Sequence, residues 1–184
     1  KRLGIYLIAD RDGIVDRYID YMLEKLKEYV THIVIVSNGN VSKEGLKTLY
    51  KHTDDVYIRP NEGFDAGGFK DTIINYISIE KILEYDELLL INDSFFGPID
   101  SFAQVFETME NREDIDLWSL TKNMGNAEIM PSMQTYFVVF KRKVLHSKAF
   151  EEYWLTLPYY TGFSEAVEKY EKFFGKFFED RGFK

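Results

Sequence analysis

The sequence predicts an α/β fold, with a mainly parallel central sheet flanked by helices in a single domain over residues 1–184. Short apolar runs of strand length alternate along the chain with segments whose apolar residues recur at helical spacing. Successive parallel strands need crossover connections, which helices supply. The chain has 184 residues, 45% of them hydrophobic, which is enough to bury one sizeable core.

Three strands and two helices are predicted in the first third of the chain. The apolar run Leu3–Ala9 predicts the first strand, and His32–Val36, rich in β-branched residues, predicts the second. A short helix around Ser42–Tyr50 leads to a third strand at Val56–Arg59. The first helix lies between the first two strands, and its apolar face consists of Val15, Tyr18, Ile19, Met22, Leu23, Leu26 and Val30.

The middle of the chain continues the alternation of helix and strand. Leu88–Ile91 is the most hydrophobic predicted strand, which indicates a position at the centre of the sheet. A helix near Ser101–Met109 and strands near Leu117–Leu120 and Tyr136–Phe140 complete the predicted core. The helix before the fourth strand carries the apolar residues Phe69, Ile73, Tyr76 and Ile77.

The last third of the chain contains one predicted loop and a helical tail. Asn123–Ser132 has little periodicity, so we expect a loop over the site. The chain opens at Lys1 directly on a strand, and we expect it to be part of a longer protein. In the tail, helical spacing relates Phe163, Ala166, Val167, Tyr170, Phe173, Phe174, Phe177 and Phe178.

The composition excludes several classes of function. A net charge of −8 argues against a nucleic-acid partner, because phosphate backbones require clustered Lys and Arg. The absence of cysteine excludes disulfides, thiolate catalysis and Cys-ligated zinc. No apolar run approaches the roughly 18–20 residues that span a bilayer.

Polar residues follow each of the first four predicted strands. Asp10 and Gly13 come after the first strand, Asn38 after the second, Arg59 at the end of the third and Asp93 after the fourth. Ligands of open α/β sheets bind beyond the carboxyl ends of the strands. Each residue alone is typical of a turn or a helix cap, but their recurrence at four strand ends predicts a polar binding crevice.

The densest group of these residues is Asn61–Lys70. Its glycines, Gly63, Gly67 and Gly68, would let the backbone approach a ligand closely, and the helix that follows offers its N-terminal amides to an anion or hydroxyl. For Gly67 and Gly68, close packing of helix on sheet explains the spacing equally well. The segment matches neither the dinucleotide fingerprint nor a P-loop.

Asp93 is the candidate metal ligand. It directly follows a buried strand, and its carboxylate is a hard oxygen ligand suited to Mg²⁺ or Mn²⁺ bridging a diphosphate. A divalent cation of this kind would assist departure of a nucleoside diphosphate. Asn92 and Ser94 would supplement the site.

An ordered series of motifs runs from about residue 8 to the end of the chain: Asp10–Val15, Val36–Gly39, Arg59–Lys70, Asn92–Ile99, Asp116–Trp118, Gln134–Phe137 and Phe150–Trp154. Together they resemble the rhamnan synthesis protein F family. The resemblance implies a glycosyltransferase with the GT-A fold, acting in bacterial cell-surface polysaccharide synthesis. Its expected donor is dTDP-rhamnose or a UDP-sugar, and its acceptor a polysaccharide or lipid-linked glycan. We expect a cytoplasmic location at the inner membrane face, with any membrane association through regions outside this chain.

The resemblance also implies roles for individual residues. The segment Asn92-Asp93-Ser94 stands where other GT-A enzymes carry the metal-binding D-x-D, which again makes Asp93 the ligand of Mn²⁺ or Mg²⁺. Asp10 and Asn38 would border the base and ribose. The full set predicted to bind the nucleotide-sugar is Asp10, Asn38, Arg59, Asn61, Gly63, Asp65 and Asn92.

Four further residues are assigned to the acceptor and to catalysis. Transfer with inversion needs a carboxylate to take the proton of the acceptor hydroxyl, and the candidates are Asp116 and Glu171. Glu171 lies off the apolar stripe of its helix, which is also what a solvated helical Glu would do. Trp118 and Gln134 are the candidate acceptor contacts, with burial in the core the competing explanation for Trp118.

Two other interpretations stay open at this stage. Asp10-x-Asp12-Gly13 after an apolar strand also resembles the nucleophile motif of haloacid-dehalogenase-like phosphohydrolases, with Asp10 attacking phosphorus. Alternatively, the chain is a non-catalytic module that binds nucleotide or glycan. Ser94 in place of a second acid favours that alternative.

Overall fold

The computed structural model describes residues 1–126 and 131–184. Within them the strands are β1 (Arg2–Ile8), β2 (His32–Asn38), β3 (Val56–Arg59), β4 (Glu87–Asn92), β5 (Leu117–Ser119), β6 (Lys122–Asn123), β7 (Ser132–Met133) and β8 (Phe137–Lys141). The helices are α1 (Arg17–Leu26), α2 (Lys43–Leu49), α3 (Phe64–Asp71), α4 (Ile79–Ile82), α5 (Ala103–Glu110), α6 (Arg142–Leu145), α7 (Lys148–Thr156), α8 (Phe163–Ala166) and α9 (Phe174–Glu179). Two π-helical segments, Thr72–Ile77 and Val167–Glu171, extend α3 and α8.

The central sheet has six strands in the order β3-β2-β1-β4-β8-β5. Strands β1 to β4 are parallel to one another, whereas β8 runs antiparallel to both of its neighbours, β4 and β5. The predicted mainly parallel α/β architecture is confirmed. Strands β6 and β7 pair as a separate antiparallel ribbon.

The two faces of the sheet are covered because alternate side chains of each central strand enter different cores. From β1, Leu3, Ile5 and Leu7 enter one core, whereas Tyr6 and Ile8 enter the other. Helices α1 and α5 cover the Tyr6 face, and α3, α7, α8 and α9 cover the opposite face. All residues of β1 are buried, as expected for a strand at the sheet centre.

The aromatic tail forms much of the core that contains Leu3, Ile5 and Leu7. Phe140 on β8 contacts Phe150, Phe174 and Phe178 edge-to-face, with ring centroids 5.3–5.7 Å apart. This geometry places a ring edge against a ring face, which favours aromatic pairs beyond the area that they bury. The helical tail is confirmed, but Phe163 is 68% exposed and therefore does not share in this core.

The predicted loop Asn123–Ser132 is wrong at its ends, because Asn123 and Ser132 pair in the ribbon of β6 and β7. Residues 127–130 of that prediction lie outside the described residues. Among the residues that the structure does describe, no helix is both long and apolar enough to cross a bilayer.

Candidate active site at the carboxyl edge of the sheet

The carboxyl ends of β1 to β4 meet at one edge of the sheet. In the parallel register Ile8 pairs with Ser37, Leu7 with Asn92, and Asn38 with Arg59. Residues that follow these strands therefore converge, as the sequence predicts. The loop after β1 is shaped by Asp10, whose Oδ1 accepts hydrogen bonds from the backbone N–H groups of Asp12 (2.9 Å) and Ile14 (2.8 Å).

A buried polar network lies beneath this edge and is centred on Arg59. Its guanidinium donates to Asp71 Oδ2 (2.7 Å), Asn38 Oδ1 (2.5 Å) and the carbonyl oxygen of Glu62 (2.8 Å). Asn38 Nδ2 donates in turn to the carbonyl oxygen of Phe64 (3.0 Å). Arg59 and Asn38 are each 4% exposed, so direct contact with a nucleotide, predicted from the sequence, has no support in this arrangement. Both instead hold the turn that precedes α3.

That turn depends on its glycines. Gly63 and Phe64 both have positive φ, +74° and +55°, and the left-handed conformation is costly for a residue with a side chain such as Phe64. A Cβ on Gly67 would lie 2.0 Å from the carbonyl oxygen of Glu62. The hydrogen bonds from Arg59 and Asn38 therefore fix a constrained turn, and the turn places Asp65 at the edge of the sheet.

Asp65 and Asn92 form the floor of the site. Asn92 Nδ2 donates to Asp65 Oδ2 (2.6 Å), and Asn92 Oδ1 accepts from the backbone N–H (3.1 Å) and hydroxyl (2.6 Å) of Ser94. Burial raises the pKa of the Asp65 carboxyl, and the hydrogen bond from Asn92 partly opposes that change. Asn92 thus joins the two segments that the sequence singled out, Asn61–Lys70 and Asn92–Ser94.

Asp93 lies above this floor. Its Oδ2 accepts a hydrogen bond from the backbone N–H of Ala9 (3.0 Å), which ties the ends of β4 and β1 together. Burial raises the pKa of Asp93 to about 6, and the negative charges of Asp65 and Asp10 add to that rise although the Ala9 bond opposes it. The three carboxyl groups are therefore close enough to interact electrostatically.

Glu171 completes the acidic site from the C-terminal tail. Together with Asp65, Asn61, Tyr170 and Phe163 it lines a cavity of about 190 Å³. Burial, followed by the charge of Asp65, raises the pKa of the Glu171 carboxyl. The structure thus brings Glu171, Asp65, Asp93 and Asp10 to one edge of the sheet.

The residues present fit a divalent cation only as a partial ligand set. Among the described residues, no three Asp, Glu or His side chains are arranged to hold a metal ion. Asp93 is nevertheless a half-buried carboxylate whose pKa is raised by burial and by neighbouring negative charge, which a cation would relieve. Mg²⁺ is commonly bound through one or two carboxylates, with water and substrate phosphates as its other ligands. Asp93, with Asp65 or Asp10 beside it, meets that requirement.

The structure corrects two of the sequence-based assignments. Asp116 precedes β5, which runs parallel to β4, and it therefore lies at the amino edge of the sheet, where its carboxylate contacts Lys143 Nζ (2.9 Å). Since Leu117 is aligned through Phe140 with Leu88, Asp116 is more than about 13 Å from the end of β4 at 3.3 Å per residue. It cannot act as the base at this site.

Trp118 is the second correction. It is 5% exposed and packs between Phe106 and Phe137, at centroid distances of 5.7 and 5.8 Å, so it is a core residue and does not contact an acceptor. Gln134 lies in the segment between β7 and β8. The last residue of that segment is Tyr136, whose carbonyl oxygen accepts a hydrogen bond from the backbone N–H of Asn92 (3.1 Å). Gln134 is therefore near the candidate site, and its acceptor role stays a prediction.

The exposed aromatic ring beside the cavity is Phe163, which the sequence grouped with the buried tail. Its ring packs edge-to-face on Phe64, with centroids 5.9 Å apart, and 68% of the residue is exposed. Helical spacing placed Phe163 with the other apolar residues of the tail and contained no information about which side of the helix the cavity would leave open. An exposed ring in a cavity that also carries the carboxyl groups of Asp65 and Glu171 is the arrangement that suits stacking against a sugar.

Comparisons with known proteins identify the family. The family model described as rhamnan synthesis protein F matches residues 33–184. The chain belongs to the rhamnan synthesis protein F family. A curated relative, the uncharacterized protein y4gN of Sinorhizobium fredii (strain NBRC 101917 / NGR234), is 27% identical over 182 residues, which cover 98% of this chain and 46% of the relative. The chain thus spans about half the length of the curated relative that it matches.

The fold is shared with solved structures. One of them is the structure of 4-diphosphocytidyl-2C-methyl-D-erythritol synthase from Anaerococcus prevotii DSM 20548, with a TM-score of 0.52 and 13% sequence identity. The alignment covers 100% of this chain and 85% of that one. Glucosyl-3-phosphoglycerate synthase from Mycobacterium tuberculosis is a weaker match, with a TM-score of 0.45, 9% identity, and coverage of 77% of this chain and 57% of that one. The GT-A-like fold expected for the rhamnan synthesis protein F family is confirmed. Family and fold together favour the transferase interpretation over a phosphohydrolase that uses Asp10.

Proposed function

We propose that this chain is the donor-binding and catalytic part of a glycosyltransferase. It transfers rhamnose or a similar sugar from dTDP-rhamnose or a UDP-sugar to a growing cell-surface polysaccharide or lipid-linked glycan. Membership of the rhamnan synthesis protein F family and the GT-A-like fold support a nucleotide-sugar glycosyltransferase-like function. The observation that carries the proposal is the convergence of Asp10, Asp65, Asp93 and Glu171 beside one cavity at the carboxyl edge of the sheet. We propose a cytoplasmic location at the membrane face, with membrane association through regions outside this chain.

The donor would bind along the turn before α3. Asn61 and Asp65 line the cavity, and Gly63, with a φ of +74°, forms the turn between them. A diphosphate placed beside Asp65 and Asp93 would be repelled by their carboxylates. A divalent cation held by Asp93 would supply the compensating charge and stabilise the nucleoside diphosphate as it leaves. Asn92 orients Asp65, and Asp10 shapes the loop opposite.

Glu171 is the proposed general base. Burial and the nearby charge of Asp65 raise the pKa of its carboxyl, which makes the carboxylate a stronger proton acceptor. It lines the same cavity as the exposed ring of Phe163, which would hold the sugar face against it. In this arrangement Glu171 takes the proton of the acceptor hydroxyl as that oxygen attacks the anomeric carbon.

Calorimetric titration of the full-length protein with dTDP, UDP and GDP, with and without Mn²⁺, tests the proposal. We expect metal-dependent binding of one nucleotide, which is lost in Asp93→Asn and kept in Asp54→Asn, a change of the same chemistry at an exposed position. Metal-independent binding that survives Asp93→Asn would make Asp93 a structural residue. If no nucleotide binds under any condition, the proposed function is wrong.

A non-catalytic binding module is the second candidate, and one observation favours it. The position of the second acid of D-x-D is Ser94, whose backbone N–H and hydroxyl both bond to Asn92 and so serve the turn. An assay of sugar transfer separates the two candidates. The protein is given the sugar derivative of the nucleotide that it binds, together with an acceptor, and release of nucleoside diphosphate is measured. Binding without release under those conditions would favour the module.

A further inference from the structure

A second cavity, which shares no lining residue with the first, lies between the β6–β7 ribbon and the C-terminal helices. It has a volume of about 320 Å³, and we call it the lysine groove. Ligand pockets commonly measure about 300–1,000 Å³, so the groove is at the small end of that range. Its lining residues are Ser119, Lys122, Pro131, Ser132, Met133, Lys172, Gly175, Lys176 and Glu179.

The charge of the groove is opposite to that of the chain. Lys122, Lys172 and Lys176 face one acidic residue, Glu179, whereas the whole chain has a net charge of −8. Lys172 and Lys176 are four residues apart and line the same wall, and Lys122 faces them from the ribbon. Three ammonium groups around one small cavity are a local positive field in an otherwise acidic protein.

Existing ion pairs leave these lysines available. Lys172 contacts Glu168 at 3.6 Å, and Lys176 contacts Asp180 at 2.8 Å. Both are exposed pairs between residues four apart, a type that water and salt screen and that contributes little to stability. A ligand with two negative charges inside the groove would therefore compete effectively for both ammonium groups.

The groove is adjacent to the candidate active site. Glu171 lines the first cavity and Lys172 lines the groove, so consecutive residues of the tail face the two spaces. The other wall follows β5 at the same edge of the sheet at which β4 ends. The two cavities are therefore separated by a single step along the tail.

We propose that the lysine groove binds a phosphate group carried by the acceptor, an inference that rests on the proposed transferase function. In the proposed function the donor diphosphate lies beside Asp65 and Asp93, at the first cavity. A phosphate on the acceptor would lie among Lys122, Lys172 and Lys176, and the sugar to be extended would reach Glu171. The acceptor class is thus a phosphate-bearing glycan, whether the phosphate is borne by a lipid or by a soluble chain.

Titration of the full-length protein with inorganic pyrophosphate in metal-free buffer tests the groove. Without a cation, the carboxylates of the first cavity repel pyrophosphate, so binding that depends on Lys172 and Lys176 reports the lysine groove. Loss of two charged hydrogen-bond donors in Lys172→Gln/Lys176→Gln should weaken binding by about tenfold or more. The matched control is Lys43→Gln/Lys47→Gln, which removes two exposed lysines with the same spacing from α2.

Further variants keep the result interpretable. Lys122→Gln, on the ribbon, should weaken binding without altering the tail, and nucleotide binding with Mn²⁺ should be unchanged in every lysine variant. Equal pyrophosphate binding in wild type and groove variants, or equal loss in groove and control variants, overturns the inference and leaves the proposed function standing. If wild-type protein binds no nucleotide, the proposed function is wrong, and lysine-dependent binding of pyrophosphate would then show an anion site without a transferase role.

The source of the phosphate is distinguished by a second arm. Phosphatidylcholine vesicles with and without phosphatidic acid are incubated with wild-type and groove-variant protein and separated by flotation. Lysine-dependent flotation only with phosphatidic acid supports a lipid-borne phosphate, and lysine-dependent binding of pyrophosphate alone supports a soluble one. Binding to neither probe overturns the inference.

Discussion

Replacement of Asp93 by Asn should stabilise the metal-free protein while it removes the proposed cation ligand. The pKa of Asp93 is raised from 3.8 to about 6, chiefly by burial. A carboxyl group that binds its proton more tightly in the folded state stabilises the fold while it is protonated. That stabilisation is complete below the unfolded pKa of 3.8 and is lost as the pH rises through about 6.

The size of the effect follows from the same pKa values. The interval from 3.8 to about 6 corresponds to an upper limit of about 3 kcal/mol, at 1.36 kcal/mol for each unit. Asp93 is only partly buried, so solvent screening reduces the expected gain to about 1–2 kcal/mol. Asn keeps an oxygen that can accept the hydrogen bond from Ala9, and the packing is otherwise unchanged.

Urea unfolding in metal-free buffer measures the gain. At about pH 7.5 we expect Asp93→Asn to be more stable than wild type, and near pH 4.5 the difference should fall by about two thirds. Asp54→Asn, the exposed control, should match wild type at both values. A variant that is less stable than wild type at pH 7.5, or a gain that is independent of pH, would refute the electrostatic reasoning.

Two further predictions concern the turn before α3 and the base. Gly67→Ala should lower the free energy of unfolding by about 3 kcal/mol, because the new Cβ would lie 2.0 Å from the carbonyl oxygen of Glu62. Gly162→Ala, whose Cβ meets nothing closer than 4.0 Å, should change it by less than about 0.5 kcal/mol, and equal losses in the two variants would contradict the packing argument. Glu171→Gln should lower kcat about 10²–10⁴-fold with nucleotide affinity unchanged. Glu168→Gln, on the same segment with its side chain 69% exposed, should leave kcat unchanged.

Much of the sheet could be predicted because its strands are short, apolar and bounded by polar turns. The third strand, Val56–Arg59, matches the prediction at both ends, and Leu88–Ile91 differs from β4 by one residue at each end. The direction of β8 could not be predicted, since alternation along a strand is the same in either direction. Its antiparallel course depends on long-range pairing with β4 and β5.

The site was predictable where a strand end fixes the position of a residue. Asp10, Asp65, Asn92 and Asp93 meet as the parallel arrangement requires, whereas Asp116 stands at the start of a strand and so belongs to the opposite edge. Glu171 illustrates a different limit. The π-helical segment Val167–Glu171 changes the angular step between residues, so a helical wheel with 3.6 residues per turn misplaces its side chains.

The antiparallel strand β8 is reached by a connection that is separate from the crossovers between the parallel strands. The part of the site on that connection and the part on the parallel strands can therefore be altered separately. The chain crosses from β5 to β8 within residues 120–136, and both ends of that connection lie at the edge where β4 ends. A change in the length or composition of this connection would alter the surroundings of Gln134 and the lysine groove. The turn held by Arg59 and the loop shaped by Asp10 belong to earlier crossovers and would keep their geometry. If the proposed function holds, exchange of this connection between relatives would change the choice of acceptor and leave the proposed donor site unaltered.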